Sequence, residues 1–196
     1  SKEQMNDTTL FSLGDYQGDE NFRQAIANYL HGSRGVNCQP AQIVIGAGVD
    51  YLLLLLTLIL NPKGTIAMEN PAYKRARRIF SSADFKIDDI PVLKSGMDLT
   101  MLKKSTANYC YVTPSHQFPL GTVMPAANRQ KLLAWAAEKE ERYIIEDDHD
   151  SEFRYKGKPI PALQGMDRGD NVIYIGTFSR AIAPAIRVGY MVPVSY

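Results

Sequence analysis

Short apolar runs rich in β-branched and aromatic residues alternate along this chain with stretches of helical spacing. That alternation limits the available folds more than any single motif. The runs at 42–45, 65–68, 85–92, 109–112, 143–146, 172–175 and 187–192 read as strands, and the helical patterns fall at 20–30, 49–60, 72–82, 99–104 and 126–139. Strands that alternate with helices predict an open, mainly parallel α/β sheet, here of seven strands, flanked by helices. In such sheets ligands collect at the carboxyl ends of the strands, where the connecting loops gather. Polar residues just beyond strand ends are therefore the first candidates for function.

Composition narrows the class without naming a task. At 196 residues, with 45% hydrophobic and 22% charged residues, the chain suits one domain with a full core. A formal net charge of +1 supplies no general attraction to nucleic acid or anionic lipid. The basic cluster Lys74, Arg75, Arg77 and Arg78 reads as the solvated face of a helix. Cys38 and Cys110 match no metal spacing and read as reduced buried thiols, consistent with a cytoplasmic protein. The leucine run at 52–60 is too short to span a bilayer and reads as a buried helix, and Trp135 reads as core.

Several strand ends carry residues suited to chemistry. Gly46-Ala47-Gly48 leads into a helix beginning near Val49; the amides of Val49 and Asp50 could cradle a phosphate, or the segment is a plain strand-to-helix turn. Thr177, Ser179 and Arg187 offer two hydroxyls and a fixed cation for a phosphate, or form a surface loop. Glu146-Asp147-Asp148-His149-Asp150 could bind a divalent cation, form a solvated acidic turn, or pair a carboxylate with a protonated heteroaromatic nitrogen. After the strand at 65–68, Tyr73 could stack on a flat ligand and Arg75 could clamp a carboxylate. The ordered loop 113–121 carries His116 and Gln117 as polar groups able to face a site.

The string Gly176-Thr177-Phe178-Ser179-Arg180, with Pro184 and Arg187-Val188-Gly189-Tyr190 after it, resembles the segment of fold-type I pyridoxal phosphate (PLP) proteins that carries the Schiff-base lysine. Arg180 stands at the lysine position. A guanidinium stays protonated and non-nucleophilic at any accessible pH, so no covalent link to the cofactor is expected there. The strings Ser33-Arg34-Gly35-Val36, Thr113-Pro114-Ser115-His116-Gln117-Phe118-Pro119 and Glu146-Asp147-Asp148-His149-Asp150-Ser151-Glu152-Phe153 extend the likeness. Together they resemble the aminotransferase-like domain of MocR/GabR-type regulators, within the GntR family, from about Gly14 to Val192.

The resemblance implies a fold-type I large domain over 14–196 behind a polar segment at 1–13, with the DNA-binding domain and the small C-terminal domain absent from this sequence. It implies PLP as cofactor, an amino-acid-like effector, a homodimer, DNA contact only through another domain, and no membrane. By position, Asp147 matches the partner of the pyridine nitrogen, Tyr73 the ring-stacking aromatic and Arg75 the arginine that holds an effector carboxylate. Val49, Asp50, Thr177, Ser179 and Arg187 fall at phosphate contacts. Three positions depart from the pattern: Arg180, His149 in place of a tyrosine near the phenolic oxygen, and Val49-Asp50 where Thr-Gln is common. The expectation is the PLP-binding, effector-sensing domain of such a regulator, without transaminase turnover and with cofactor binding weakened or lost; the alternatives are a class I/II aminotransferase and a degenerate scaffold that binds no cofactor.

Overall fold

A computed structural model of the chain describes residues 16–60, 64–149, 160–178 and 188–194. Asp19 accepts the Phe22 amide and starts helix α1 (Glu20–Arg34), and Gly35 in the left-handed region (φ 63°) stops it. A single 3₁₀ turn (Pro40–Gln42) then leads into β1 (Val44–Gly46). There follow α2 (Val49–Ile59), β2 (Thr65–Asn70), α3 (Lys74–Ser82), β3 (Lys86–Leu93), β4 (Gly96–Met97) and α4 (Leu99–Lys104). The chain continues through β5 (Tyr109–Val112), α5 (Ala126–Ala137), β6 (Tyr143–Asp147), α6 (Leu163–Met166), β7 (Val172–Thr177) and β8 (Gly189–Val192).

The strands form one eight-stranded sheet in the order β1-β8-β7-β6-β5-β2-β3-β4. Strands β7, β6, β5, β2 and β3 run parallel. Strand β8 is antiparallel to both β7 and β1, so β1 points the same way as the central five. The added strand is β4, two residues paired antiparallel to the end of β3. A two-residue strand shows no periodicity, so seven strands were expected, and the described residues form eight. The four-residue α6 escaped notice for the same reason.

Period-two alternation divides the sheet between two helical layers. Met68, Tyr111, Ile145 and Ile175 pack beneath α2 and α3 against Leu52, Leu56 and Phe80. Cys110, Val112 and Ile144 meet Leu132 and Trp135 of α5 on the opposite face. Helix α1 covers Tyr174, Tyr190 and Val192 there with Ile26, Ala27 and Leu30. Cys38, Cys110 and Trp135 are buried as expected. The leucine run is only half buried: Leu52, Leu53 and Leu56 enter the core, while Leu54 is 52% and Leu58 82% exposed. A helix wedged on one face of a sheet has only one side to hide. Among the described residues no helix is long and apolar enough to cross a membrane.

One buried ion pair fastens α1 to the sheet. Arg34 Nε donates to Asp148 Oδ2 at 2.7 Å, and its terminal nitrogens reach Asp148 Oδ1, Ser115 Oγ and the Ile160 carbonyl. The Tyr174 hydroxyl also donates to Asp148. Removing one member of a buried pair strands the other charge, which costs about 3–5 kcal/mol. Arg34→Met should therefore lower the urea-unfolding free energy by about that amount. The double variant Arg34→Met/Asp148→Leu should recover much of the loss.

Candidate functional site

Because β1, β2, β5, β6 and β7 share one direction, their carboxyl ends emerge along one edge of the sheet. That edge carries Gly46 with the start of α2, the Asn70–Arg75 segment, the 113–121 loop, Asp147 and Thr177. Gly48 precedes α2 with φ 96°, a conformation that favours glycine, and a Cβ on Gly189 would stand 3.0 Å from the Gly48 carbonyl carbon. The start of α2 is thus seated tightly on the first residue of β8.

Asp147 is the centre of the group. It is buried at the end of β6, and the Tyr111 hydroxyl donates to its Oδ2. Burial, and then the carboxylate beside it, push the Tyr111 hydroxyl well above the ordinary phenol range, so it remains a donor. The other carboxylate oxygen, Oδ1, accepts the His149 backbone amide at 3.2 Å and lies 3.2 Å from His149 Nδ1. Phe118 bridges the rest, meeting His149 edge-on at 5.9 Å and Tyr73 edge-on at 6.0 Å between ring centroids.

The Tyr73 hydroxyl in turn donates to Asp50 Oδ1 at 3.2 Å, and Arg75 reaches Asp50 Oδ2 at 3.3 Å. Burial and the adjacent Asp50 raise the Tyr73 hydroxyl above its usual range. The Val49 side chain packs on the core. The Asp50–Arg75 pair is open to solvent, with side chains 41% and 63% exposed, so water screens most of its attraction.

The structure therefore brings Asp50, Tyr73, Arg75, Asp147 and His149 into one contiguous cluster, while Val49 turns to the core. Thr177 ends β7 along the same edge, opposite Gly189. Ser179, Arg180 and Arg187 lie outside the described residues, as do Asp150 and the polar segment at 1–13.

The acidic run at 146–150 separates instead of clustering. Glu146 and Asp148 turn to the face opposite Asp147: Glu146 accepts the Leu163 and Gln164 amides at the start of α6, and Asp148 takes Arg34. Among the described residues no three His, Cys, Asp or Glu side chains stand together as metal ligands. The expectation that Gln117 faces the site is corrected: it is 1% exposed and turns inward to Glu69, Pro71 and Phe118. Tyr111 and Phe118 were missed, because each passes for an ordinary strand or loop aromatic. Only the two-residue register, which sets Tyr111 beside Ile145 and so near Asp147, could have exposed the first.

Behind the cluster lies a second carboxyl group. Glu69 is 1% exposed at the end of β2; Thr113 Oγ1 and Gln117 Nε2 donate to its Oε2 at 3.0 and 3.2 Å. Burial outweighs those two donors and holds its pKa up at about 7.

The architecture is a three-layer α/β/α domain with an acid-centred cluster of side chains at the strand ends. The family described as aminotransferase class I and II matches residues 2–195, and the chain belongs to it. It is 47% identical over 183 residues to the uncharacterized HTH-type transcriptional regulator YdeL of Bacillus subtilis, covering 93% of this chain and 39% of that protein. It is 39% identical over 176 residues to the probable rhizopine catabolism regulatory protein MocR of Rhizobium meliloti, covering 89% of this chain and 36% of MocR. The Pyrococcus horikoshii kynurenine aminotransferase, solved with PMP and KYN, superimposes with a TM-score of 0.84 at 28% identity. That match covers 95% of this chain and 48% of the enzyme. The chain thus spans less than half the length of each.

The raised Glu69 pKa has a signed consequence for stability. Below the ordinary carboxyl value of 4.5 both folded and unfolded chains keep the proton, and the neutral group costs nothing. As pH rises through about 7 that stability is lost, because the unfolded chain ionises freely. Against wild type, Glu69→Gln should be equally stable near pH 4.5 and more stable by about 3 kcal/mol at pH 8. Urea unfolding of both proteins at the two pH values checks this.

Proposed function

We propose that this chain is the cofactor-binding, effector-sensing domain of a MocR/GabR-like transcription regulator, and that it holds PLP without a covalent bond. The observation that carries the reading is Asp147, a buried carboxylate at a strand end, steadied from two sides by Tyr111 and His149. The regulator relatives support the regulatory half of the reading, and PMP in an aminotransferase neighbour supports the cofactor half. When bound, PLP supplies a reactive aldehyde and an electron-accepting ring.

The chain's own groups divide the work. Asp147 would accept a hydrogen bond from the protonated ring nitrogen and so keep the proton on the ring, while the Tyr111 hydroxyl fixes the carboxylate's orientation. Tyr73 and Phe118 exclude water from the ring, and His149 stands where the phenolic oxygen would be met. The N–H groups at the start of α2 and Thr177 would hold the phosphate, and by the sequence resemblance Ser179 and Arg187 would join them. Arg75 receives the carboxylate of an amino-acid-like effector in exchange for Asp50. Arg180 supplies no nucleophile. DNA contact belongs to another domain. The exposed stripe Tyr51, Leu54 and Leu58 on α2 is the face assigned to a second copy in a homodimer.

Asp50 favours a second reading, a scaffold that folds but binds no cofactor, since its negative charge stands where a phosphate dianion would approach. PLP titration followed by absorbance separates the two. A saturable complex is expected, weakened about tenfold or more in Asp147→Ala by loss of a charge-assisted hydrogen bond. No saturation in wild type overturns the proposal. After borohydride treatment, peptide mapping should find no PLP adduct on residues 172–187, whereas Arg180→Lys should gain one. Keto-acid formation from an amino donor should stay at the protein-free rate.

A further inference from the structure

Glu69 takes no part in the contacts around Asp147, yet it joins the two segments that carry the pocket's aromatic side chains. The Thr113 hydroxyl has one hydrogen, given to Glu69 Oε2 at 3.0 Å, and its oxygen accepts the Phe118 amide at 3.1 Å. Gln117 Nε2 shares its two hydrogens among Glu69 Oε2 at 3.2 Å, the Pro71 carbonyl at 2.8 Å and the Phe118 carbonyl at 2.7 Å. Gln117 Oε1 accepts the Leu120 amide at 3.0 Å. Pro71 is two residues from Tyr73. One carboxyl group therefore braces the 113–121 loop against the end of β2, at the point where Phe118 meets Tyr73 and His149.

We propose that Glu69 is a positioning residue of the site: acting through Thr113 and Gln117, its carboxyl group sets Phe118 against Tyr73 and His149 and so sets the affinity for the PLP ring. The ligand half of this inference rests on the PLP-binding reading above; the bracing of the loop does not.

The neutral form fits the surroundings. Oε2 serves both donors, and Oε1 is buried without a hydrogen-bond partner that would stabilise a charge on it. Asp147 of β6 acts on Glu69 as a like charge once Glu69 ionises. From β5, Cys110 lies on the same face of the sheet as Glu69 and Tyr111 on the other, and burial keeps both protonated. The loop contributes only the neutral Thr113 and Gln117. Ionised Glu69 would have to draw water into a dry joint beside a second carboxylate, and the brace would loosen. As pH rises through about 7, the Phe118 wall should therefore lose its fixed place.

The test compares wild type, Glu69→Gln and Glu69→Leu as full chains. PLP is titrated at pH 6 and pH 8.5, and amide hydrogen exchange of peptides spanning 113–121 is followed without PLP. At pH 6, Glu69→Gln should bind PLP within about twofold of wild type, because its amide oxygen serves the same two donors. Glu69→Leu, which strands both donors, should bind about tenfold more weakly. At pH 8.5 wild type should fall about tenfold behind Glu69→Gln, a divergence that titration of PLP itself cancels out of. Loop exchange, corrected for intrinsic rates, should quicken with pH in wild type, be fast at both values in Glu69→Leu, and stay slow in Glu69→Gln.

Identical pH behaviour of wild type and Glu69→Gln, in both binding and exchange, overturns the inference. So does a folded Glu69→Leu with wild-type affinity and loop protection. If Glu69→Leu does not fold, the glutamine comparison alone decides. If wild type binds no PLP at either pH, the proposed function fails, and the exchange pattern still decides whether Glu69 places the loop.

Discussion

The strict alternation of side chains at the end of β6 decides how this domain is assembled. Glu146, Asp147 and Asp148 are consecutive acids that could not share one environment without severe repulsion. The pleat sends the first and third to one face of the sheet and the second to the other. Glu146 is spent on the amides that begin α6, and Asp148 on the guanidinium that anchors α1. Only Asp147 is left toward the strand-end pocket, held by Tyr111 and His149. A shift of one residue would exchange the structural and the pocket-facing carboxylates.

The same stretch shows how much electrostatic work burial demands. Glu69 and Glu146 are both pushed up to about 7, burial being the leading cause in each, although each accepts two hydrogen bonds. Hydrogen bonds lower a carboxyl pKa, so burial has won at both places. Arg129, wholly buried on α5, is compensated differently: its donors go to the Pro114, Met124 and Pro161 carbonyls. That guanidinium supports the 113–121 loop from behind, while Glu69 supports it from the strand side. The loop bearing Phe118 is thus clamped by two buried ionisable groups, one from each flank.

Much of this was legible in the sequence because the long strands announce themselves. Residues 65–68, 109–112 and 143–146 are β-rich runs bounded by polar turns, and the structure extends two of them by a residue or two. Helix α4 falls where its spacing puts it, between Asp98 as cap and Ser105. The two-residue β4 and the four-residue α6, barely one helical turn, leave no periodic trace. Within the site, positions just past strand ends were found because their place in the topology made them visible. Inward-turned groups were not: Glu69, one residue past the run at 65–68, was not singled out, and Gln117 read as a loop side chain able to face the site. Their roles come from contacts 44 and 48 residues apart, which local pattern does not contain.

Helix α2 carries one more consequence. Its first turn holds Asp50 beside Tyr73, and its last turns present Leu54 and Leu58 to solvent. Eleven residues make a rod about 16 Å long, stiff on that length scale. Leu52, Leu53 and Leu56 seat its inner side on the sheet. Under the proposed function, an anion that displaced Asp50 at one end would act on the same short rod that carries the exposed leucines at the other.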